Sequence, residues 1–450
     1  MSAPTEPTRP GHVRPFSSAH ARKALWRTAL VVLVMLASSY ILTNNLLGPL
    51  GVLVKGPQGA SLDRLTRVVH NWGSPVPVRD FPLVVLVELG RDSVQTLSPQ
   101  GYVFNRGQMA RITEKILEYR PKGVFFDFDF SQPTNEGGVL SAGDRRLLEV
   151  MRRADAPVLI PDPNLINLPL SQVNPNLQRV SAQVLYDSDG QTRQIPRPRV
   201  GQPVTASVGL YCLGLGLPLG DGSSCPSLFG GASSADGKRI VYREIRRFAA
   251  NTDGAQLWPN LVVIGGLELL QGGLAKTPQT EGALFMVGRT YPEAADVHFT
   301  ATGPIHGIDI HLNALMTLAT YRRFSETLGW GPVLAIVPLV VFFALWLTYS
   351  ITDVWLGNSR FQGFIKALIE TAITAWFLFF AGVLILQYHG TFLDYLYPIV
   401  AFQMGSLLLG FFTSVGGKKN GKHPQPQNDR GESAGENLKG VAEETGGNPG

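Results

Sequence analysis

Two aspartates, Asp127 and Asp129, stand two residues apart in the apolar stretch 123–130. On a β-strand that spacing turns both side chains to one face. At the carboxyl end of a parallel strand they would stand where α/β sheets bind ligands. Two such carboxylates could hold a cation or act as an acid–base pair. They could instead accept backbone amides at the strand exit or pair with arginines, a role preferred over ligand binding; catalysis ranks last. Further along, His298, His306 and His311 fall within fourteen residues, together with Asp296 and Asp309. Imidazole and carboxylate suit zinc, and histidine titrates near neutral pH. No zincin helix motif is present, however, and His306 and His311 are five apart, a poor helical pair. A structural role at a helix start is preferred, with Asp309 favouring the N-terminus. Asp127, Asp129, Asp296, Asp309 and His311 stand as the candidate ligand contacts; no metal site, cofactor or catalytic residue is expected.

Other chemical motifs are weaker. Asp187-Ser188-Asp189-Gly190 has the opening of a calcium loop, but residues 191–202 contain no glutamate to complete it, so it reads as a turn. Gly214, Gly216 and Gly220 do not match a dinucleotide fingerprint. There is no P-loop lysine motif and no nucleophile elbow. Cys212 and Cys225, thirteen positions apart, could form a disulfide in an oxidising compartment; Cys212 could equally be a buried small apolar residue.

These residues need a scaffold. The valine-rich run 83–88 suits a strand buried on both faces. Met109, Ile112, Ile116 and Tyr119 recur at helical spacing until Pro121. A second strand is expected over 123–130, a helix over 144–153 with Asp144 at its start, and a third strand over 157–160. This β-α-β-α-β order implies a mostly parallel sheet with covering helices and right-handed crossovers. Residues 161–203, rich in proline and asparagine, read as surface chain apart from the 187–190 turn. A small-residue helix is expected over 203–216, a half-exposed strand over 240–248, short buried strands at 261–264 and 283–287, and a helix over 308–318.

Only 16% of the 450 residues are charged, against ~25% in soluble domains, which excludes a simple cytosolic enzyme. Residues 1–27 carry five arginines and lysines against one glutamate, four of the net +5. That excess precedes an apolar run, so it reads as a topology signal and not as a nucleic-acid surface. Four transmembrane helices are expected, at 26–44, 329–350, 364–387 and 395–414, each near the ~20 residues a bilayer requires. They would leave a basic cytoplasmic N-terminus (1–25), an α/β domain outside (45–328), and a disordered cytoplasmic tail (415–450) with five basic and five acidic residues. In the third span, Lys366 and Glu370 share a helix face; an interfacial position, with Lys366 reaching the headgroups, is preferred over a coupling role.

Four landmarks occur in the order found in the type 2 CHASE domain, a cyclases/histidine-kinases-associated sensory extracellular domain of bacteria, which the chain resembles over roughly residues 81–325. They are Val84-Val85-Leu86-Val87-Glu88-Leu89 with Arg91-Asp92-Ser93-Val94; the segment Gly123 to Pro133; Asp187-Ser188-Asp189-Gly190 with Arg193; and Phe285 to Thr290, Asp296 and Gly307 to Leu315. The one N-terminal helix and three C-terminal helices look like that family's membrane arrangement. Departures are Gly101 to Arg106, where a tryptophan-rich turn is often found, and the segment 267–282.

The resemblance implies a sensor whose ligand is unassigned. Members usually carry a cytoplasmic kinase or cyclase, and this sequence has neither, so it reads as a stand-alone member. The expectation is a multi-pass protein of the bacterial inner membrane with both termini cytoplasmic. It would be no enzyme, detecting a small ligand or envelope state and signalling through a separate cytoplasmic or membrane protein, with a homodimer also open. The alternative is an assembly component of an envelope complex, its outside domain a docking module.

Overall fold

The computed structural model describes residues 18–43, 51–72, 78, 80–98, 104–135, 139–187, 189–196, 202–219, 237–242, 260–291, 296–324, 330–355, 362–393, 395, 398–399 and 403. In chain order these form α1 (Ser18–Thr43), α2 (Gly51–Trp72), β1 (Val84–Leu89), α3 (Arg91–Leu97), α4 (Arg106–Leu117), β2 (Gly123–Phe126), α5 (Ala142–Arg153) and β3 (Val158–Ile160). Next come β4 (Asn164–Leu165), β5 (Leu168–Pro169), α6 (Leu170–Val173), β6 (Leu177–Arg179), β7 (Leu185–Tyr186), β8 (Thr192–Pro196), α7 (Ala206–Gly214) and β9 (Gly237–Arg239). The remainder are β10 (Leu261–Gly265), α8 (Gly266–Leu270), β11 (Leu284–Arg289), β12 (Val297–Thr300), β13 (Gly303–His306), α9 (Gly307–Tyr321), α10 (Trp330–Trp355) and α11 (Gln362–His389).

The main sheet has six strands in the order β10-β1-β11-β2-β3-β6, every neighbouring pair parallel. Its strands are continuously apolar because both faces are covered. Val85, Val87, Val124, Phe126, Phe285 and Val287 pack on one side with the apolar stripes of α4 and α5. Val84, Leu86, Phe125, Leu284 and Met286 pack on the other with α7 and α9. The result is three layers, helix–sheet–helix. Local signals place the covering helices. Asn105 caps α4, its side chain accepting from the amides of Gly107 and Gln108. Ser141 and Asp144 form a reciprocal capping box at the start of α5, so Asp144 acts from inside the first turn and Ser141 is the cap.

Three expectations are corrected. The second strand ends at Phe126 instead of reaching residue 130, because pairing with β3 stops at Phe125 and pairing with β11 at Phe126. The stretch expected as a half-exposed strand from Ile240 is not strand as far as Tyr242, and Ile240, Val241 and Tyr242 are all buried. There the Ile240 amide still donates to the Arg193 carbonyl of β8, but the Val241 amide donates to the Thr317 hydroxyl of α9, which ends the pairing; residues 243–248 lie outside the described residues. The segment 161–203, expected as surface chain, contributes β4 to β8 and α6. Leu165, Leu170, Leu177 and Ile195 reach the core from it, enough apolar side chains to order a proline-rich stretch. Part of it joins a second sheet, ordered β13-β12-β8-β7 with β9 also on β8.

Two helices are long and apolar enough to cross a membrane, over Gly331–Thr352 and Ala367–His389, in α10 and α11. Residues of the expected first span lie in α1; the fourth, 395–414, is almost wholly outside the described residues, as is the tail. The chain divides into units 1–405 and 406–450. Glu370, read from sequence as interfacial, is buried and ion-paired with Arg27 of α1; the Arg27 guanidinium also lies over the Tyr349 ring of α10. Helix α2 was not anticipated. Its Leu62, Leu65 and Val69 recur at helical spacing and join the buried cluster formed with α1, α10 and α11. Gly382 of α11 makes room for Leu65, whose side chain would stand 3.1 Å from a Cβ there.

Candidate functional site: a crevice at the ends of two parallel strands

Strands β2 and β11 are neighbours, but their chains part at their carboxyl ends. The chain leaving β2 runs to α5 in one layer, and the chain leaving β11 runs to α9 in the other. Such a parting opens the crevice in which α/β sheets bind ligands. Asp127 follows β2 and Arg289 closes β11, with Asp296 and His298 beside them. The His298 Nε2–H donates to Asp296 Oδ1 at 2.7 Å, and Nδ1 accepts from the Tyr186 hydroxyl at 2.5 Å. Tyr186 is exposed and the Asp296 side chain is 48% exposed, so the chain of three meets solvent at both ends. It can relay a proton or present a polarised hydroxyl to a ligand.

Charge is unevenly held. Burial, then the neighbouring Asp296 charge, pushes Asp127 up to about 7, against the pull of Arg289 and His298. Asp296 is itself partly buried, which works against its charge, yet the hydrogen bond from His298 holds it below the usual carboxylate range. The crevice thus keeps one carboxylate ionised and another poised near neutrality.

The five candidate contacts do not converge. Asp127 and Asp296 share the crevice. Asp129 does not, because the strand on which the two aspartates would have shared a face has already ended. Its Oδ1 accepts from the amide and hydroxyl of Ser131 at 2.8 and 2.6 Å. Burial opposes its charge, but those bonds hold it below the usual carboxylate range. The adjacent Asp162 is pushed up to about 6 by burial and by the Asp129 charge, and Arg106 donates to the Asp129 carbonyl. Asp309 and His311 lie in the first turns of α9, both buried. His311 donates from Nε2 to the Ala182 carbonyl at 3.1 Å and meets Phe125 edge-on; burial lowers it to about 4. Cys212 is disulfide-bonded within α7, while Cys225 lies outside the described residues. Among the described residues there is no cluster of three or more metal-ligating side chains.

Sequence reading missed a second cluster. Arg193 of β8 holds Asp63 of α2 through both carboxylate oxygens, each at 2.7 Å. It also bonds Asp187 and Asp189 at 2.6–2.8 Å. Burial opposes the guanidinium charge, but the three carboxylates outweigh it and raise its pKa. The Asp187–Gly190 turn, correctly expected as a turn with Gly190 at φ 76°, therefore carries two of the carboxylates. The helical repeat of Leu62, Leu65 and Val69 was the available signal for α2 and hence for Asp63.

A CHASE2 domain model matches residues 29–350. The chain belongs to the CHASE2 domain family. That family is one of sensory extracellular domains. No curated protein and no solved structure matches the chain. The CHASE2 match begins within α1 and ends within α10, beyond the 81–325 stretch whose residues carry the resemblance.

Within this CHASE2 domain, α9 joins the crevice to α11. At its start, the Gly307 amide donates to the Asp296 carbonyl, and a Cβ on Gly307 would stand 2.2 Å from Asp296 Oδ2. At its end, the Tyr321 hydroxyl lies 3.1 and 2.9 Å from the carbonyls of Leu386 and Gln387 in α11.

Proposed function

We propose that this CHASE2 chain is a membrane-anchored sensor that binds a small extracytoplasmic ligand, or responds to envelope state, and signals through a separate protein. The observation that carries this reading is the path of α9, from Asp296 in the crevice to the carbonyls at the end of α11. A ligand that prefers one arrangement of Asp127, Asp296 and His298 would bias the seat of α9, and only such differential affinity can transmit a signal. The crevice acts by binding, without turnover. The domain faces the periplasm, with the termini in the cytoplasm.

Proximity cross-linking from native membranes tests the reading, comparing the full chain with one truncated after Ser414 and with Asp127→Ala. Capture of a kinase, cyclase or other regulator, altered by Asp127→Ala, supports the sensor. Capture of envelope-assembly components alone, indifferent to both changes, favours a docking module and sinks the sensor.

A further inference from the structure

The β12–β13 ribbon has two unlike faces. His298 on one face makes the bonds to Asp296 and Tyr186. The alternation of a strand puts Val297 and Phe299 on the other, and Phe299 pairs across the ribbon with Pro304. All three are exposed, Phe299 to 65%. A bare phenylalanine on this edge ribbon of the second sheet calls for a covering, and its position says which. At the ribbon's tip, the Ala301 carbonyl accepts from Arg67 Nε of α2 at 2.6 Å. Ala301 also lines a small enclosed space together with Leu62 and Phe392. Phe392 lies three residues beyond the end of α11, where that helix would leave the bilayer.

We propose that the ribbon rests on the outer surface of the bilayer, with Phe299 seated among lipid headgroups and Arg67 beside an anionic phosphate. Two residues of strand separate Phe299 from the tip, about 7 Å. The headgroup layer is itself about 5–7 Å deep on each side, so the ring falls within it. Phenylalanine is among the side chains that surface-bound elements bury at the boundary of headgroups and acyl chains, and an exposed arginine beside it suits an anionic lipid. The occupant is thus a membrane surface. Lipid contact would hold one side of the ribbon whose other side carries the His298 site, so composition of the outer leaflet becomes an input to the crevice. This rests on α11 crossing the bilayer, as in the function proposed above.

The test places a nitroxide on Phe299→Cys in the full chain, reconstituted in vesicles of phosphatidylethanolamine and phosphatidylglycerol, and compares collision with oxygen and with a water-soluble nickel chelate. Leu384→Cys, on the exposed side of α11, is the lipid reference, and Val139→Cys, ahead of α5, is the aqueous one. The expected oxygen-to-nickel ratio at 299 is several-fold above that at 139 and below that at 384. Val297→Cys, one pleat further from the tip, should give a smaller ratio. A label at 299 as open to nickel as that at 139 overturns the proposal. So does one shielded from both reagents, since a protein would then cover the ribbon. If the label at 384 is aqueous, the membrane reading fails first and is recognised as the failure.

Discussion

The ring of Tyr321 packs so closely on Gly390 that a Cβ there would lie 2.5 Å from it, while the Tyr321 hydroxyl bonds the carbonyls of Leu386 and Gln387. These carbonyls belong to the last turn of α11, where the Leu386 carbonyl also accepts from the Gly390 amide at 3.0 Å. Tyr321, at the end of α9, thus closes on the last turn of α11. Tyr321→Phe is expected to cost about 0.5–1.5 kcal/mol, read by thermal unfolding of the full chain in lipid nanodiscs. Gly390→Ala should cost more, since Gly390 also has φ 63°. Adding Tyr321→Ala to it should recover part of that loss, and strict additivity would sever the contact from the cost.

Half-buried Asp127 and buried His311 predict opposing pH slopes. Asp127 is raised from 3.8 to about 7 in the fold, so its contribution is full below 3.8 and is lost as pH rises through 7. His311 is lowered from 6.5 to about 4, so its contribution is full above 6.5 and is lost as pH falls through 4. In the native chain the two offset each other between these limits. Asp127→Asn should therefore gain thermal stability from pH 4.5 to 6.5, and His311→Gln should lose it over the same range. Parallel profiles for the two variants would refute both assignments.

At the α2 contact, Arg193→Met would leave Asp63, 7% exposed, without its partner. A loss of about 3–5 kcal/mol is expected. Arg193→Lys should recover only part of it, because a lysine cannot grip both oxygens of Asp63 as the guanidinium does. Asp189→Asn should cost less than about 1 kcal/mol, its side chain being 49% exposed. Thermal melts of the three variants rank them, and an equal loss in all would deny Asp63 its central place.

Gly307→Ala is expected to push the Asp296 carboxylate off His298, since the new Cβ would stand 2.2 Å from Asp296 Oδ2. The imidazole Nε2 proton of His298 should then lose its hydrogen-bond shift in nitrogen-edited proton NMR. An unmoved resonance would place the carboxylate elsewhere. Gly288→Ala brings a Cβ within 2.5 Å of Ile308 and should cost about 1–3 kcal/mol by overpacking, without that spectral change.

The parallel layer was legible because its strands are buried on both faces and announce themselves as apolar runs; Val84 to Leu89 and Leu284 to Arg289 sit in it near their expected bounds. The second sheet was not, since β7, β9 and β12 are two to four residues long and half polar, too short for alternation to register. The same limit governs the site. Asp127 was legible as a carboxylate near a strand end and Asp296 as a companion of the histidines, but the end of β2 at Phe126 is set by where its neighbours stop pairing, which no local pattern in 123–130 encodes. Arg193 was visible only as part of a family landmark, because its chief partner, Asp63, lies 130 positions away in the chain.

Three glycines, Gly288, Gly307 and Gly390, seat α9 against β11, Asp296 and the turn after α11, at distances where no Cβ would fit. At the first and second the backbone meets a side chain directly, and at the third an aromatic ring lies flat on it. Such a joint has almost no play. A flexible side chain between two parts soaks up small displacements by changing rotamer, whereas backbone on side chain can only push or part. At Gly288 and Gly390, therefore, α9 can only shift as a rod or unseat, whereas at Gly307 the Asp296 carboxylate, the free end of a side chain, can still swing aside.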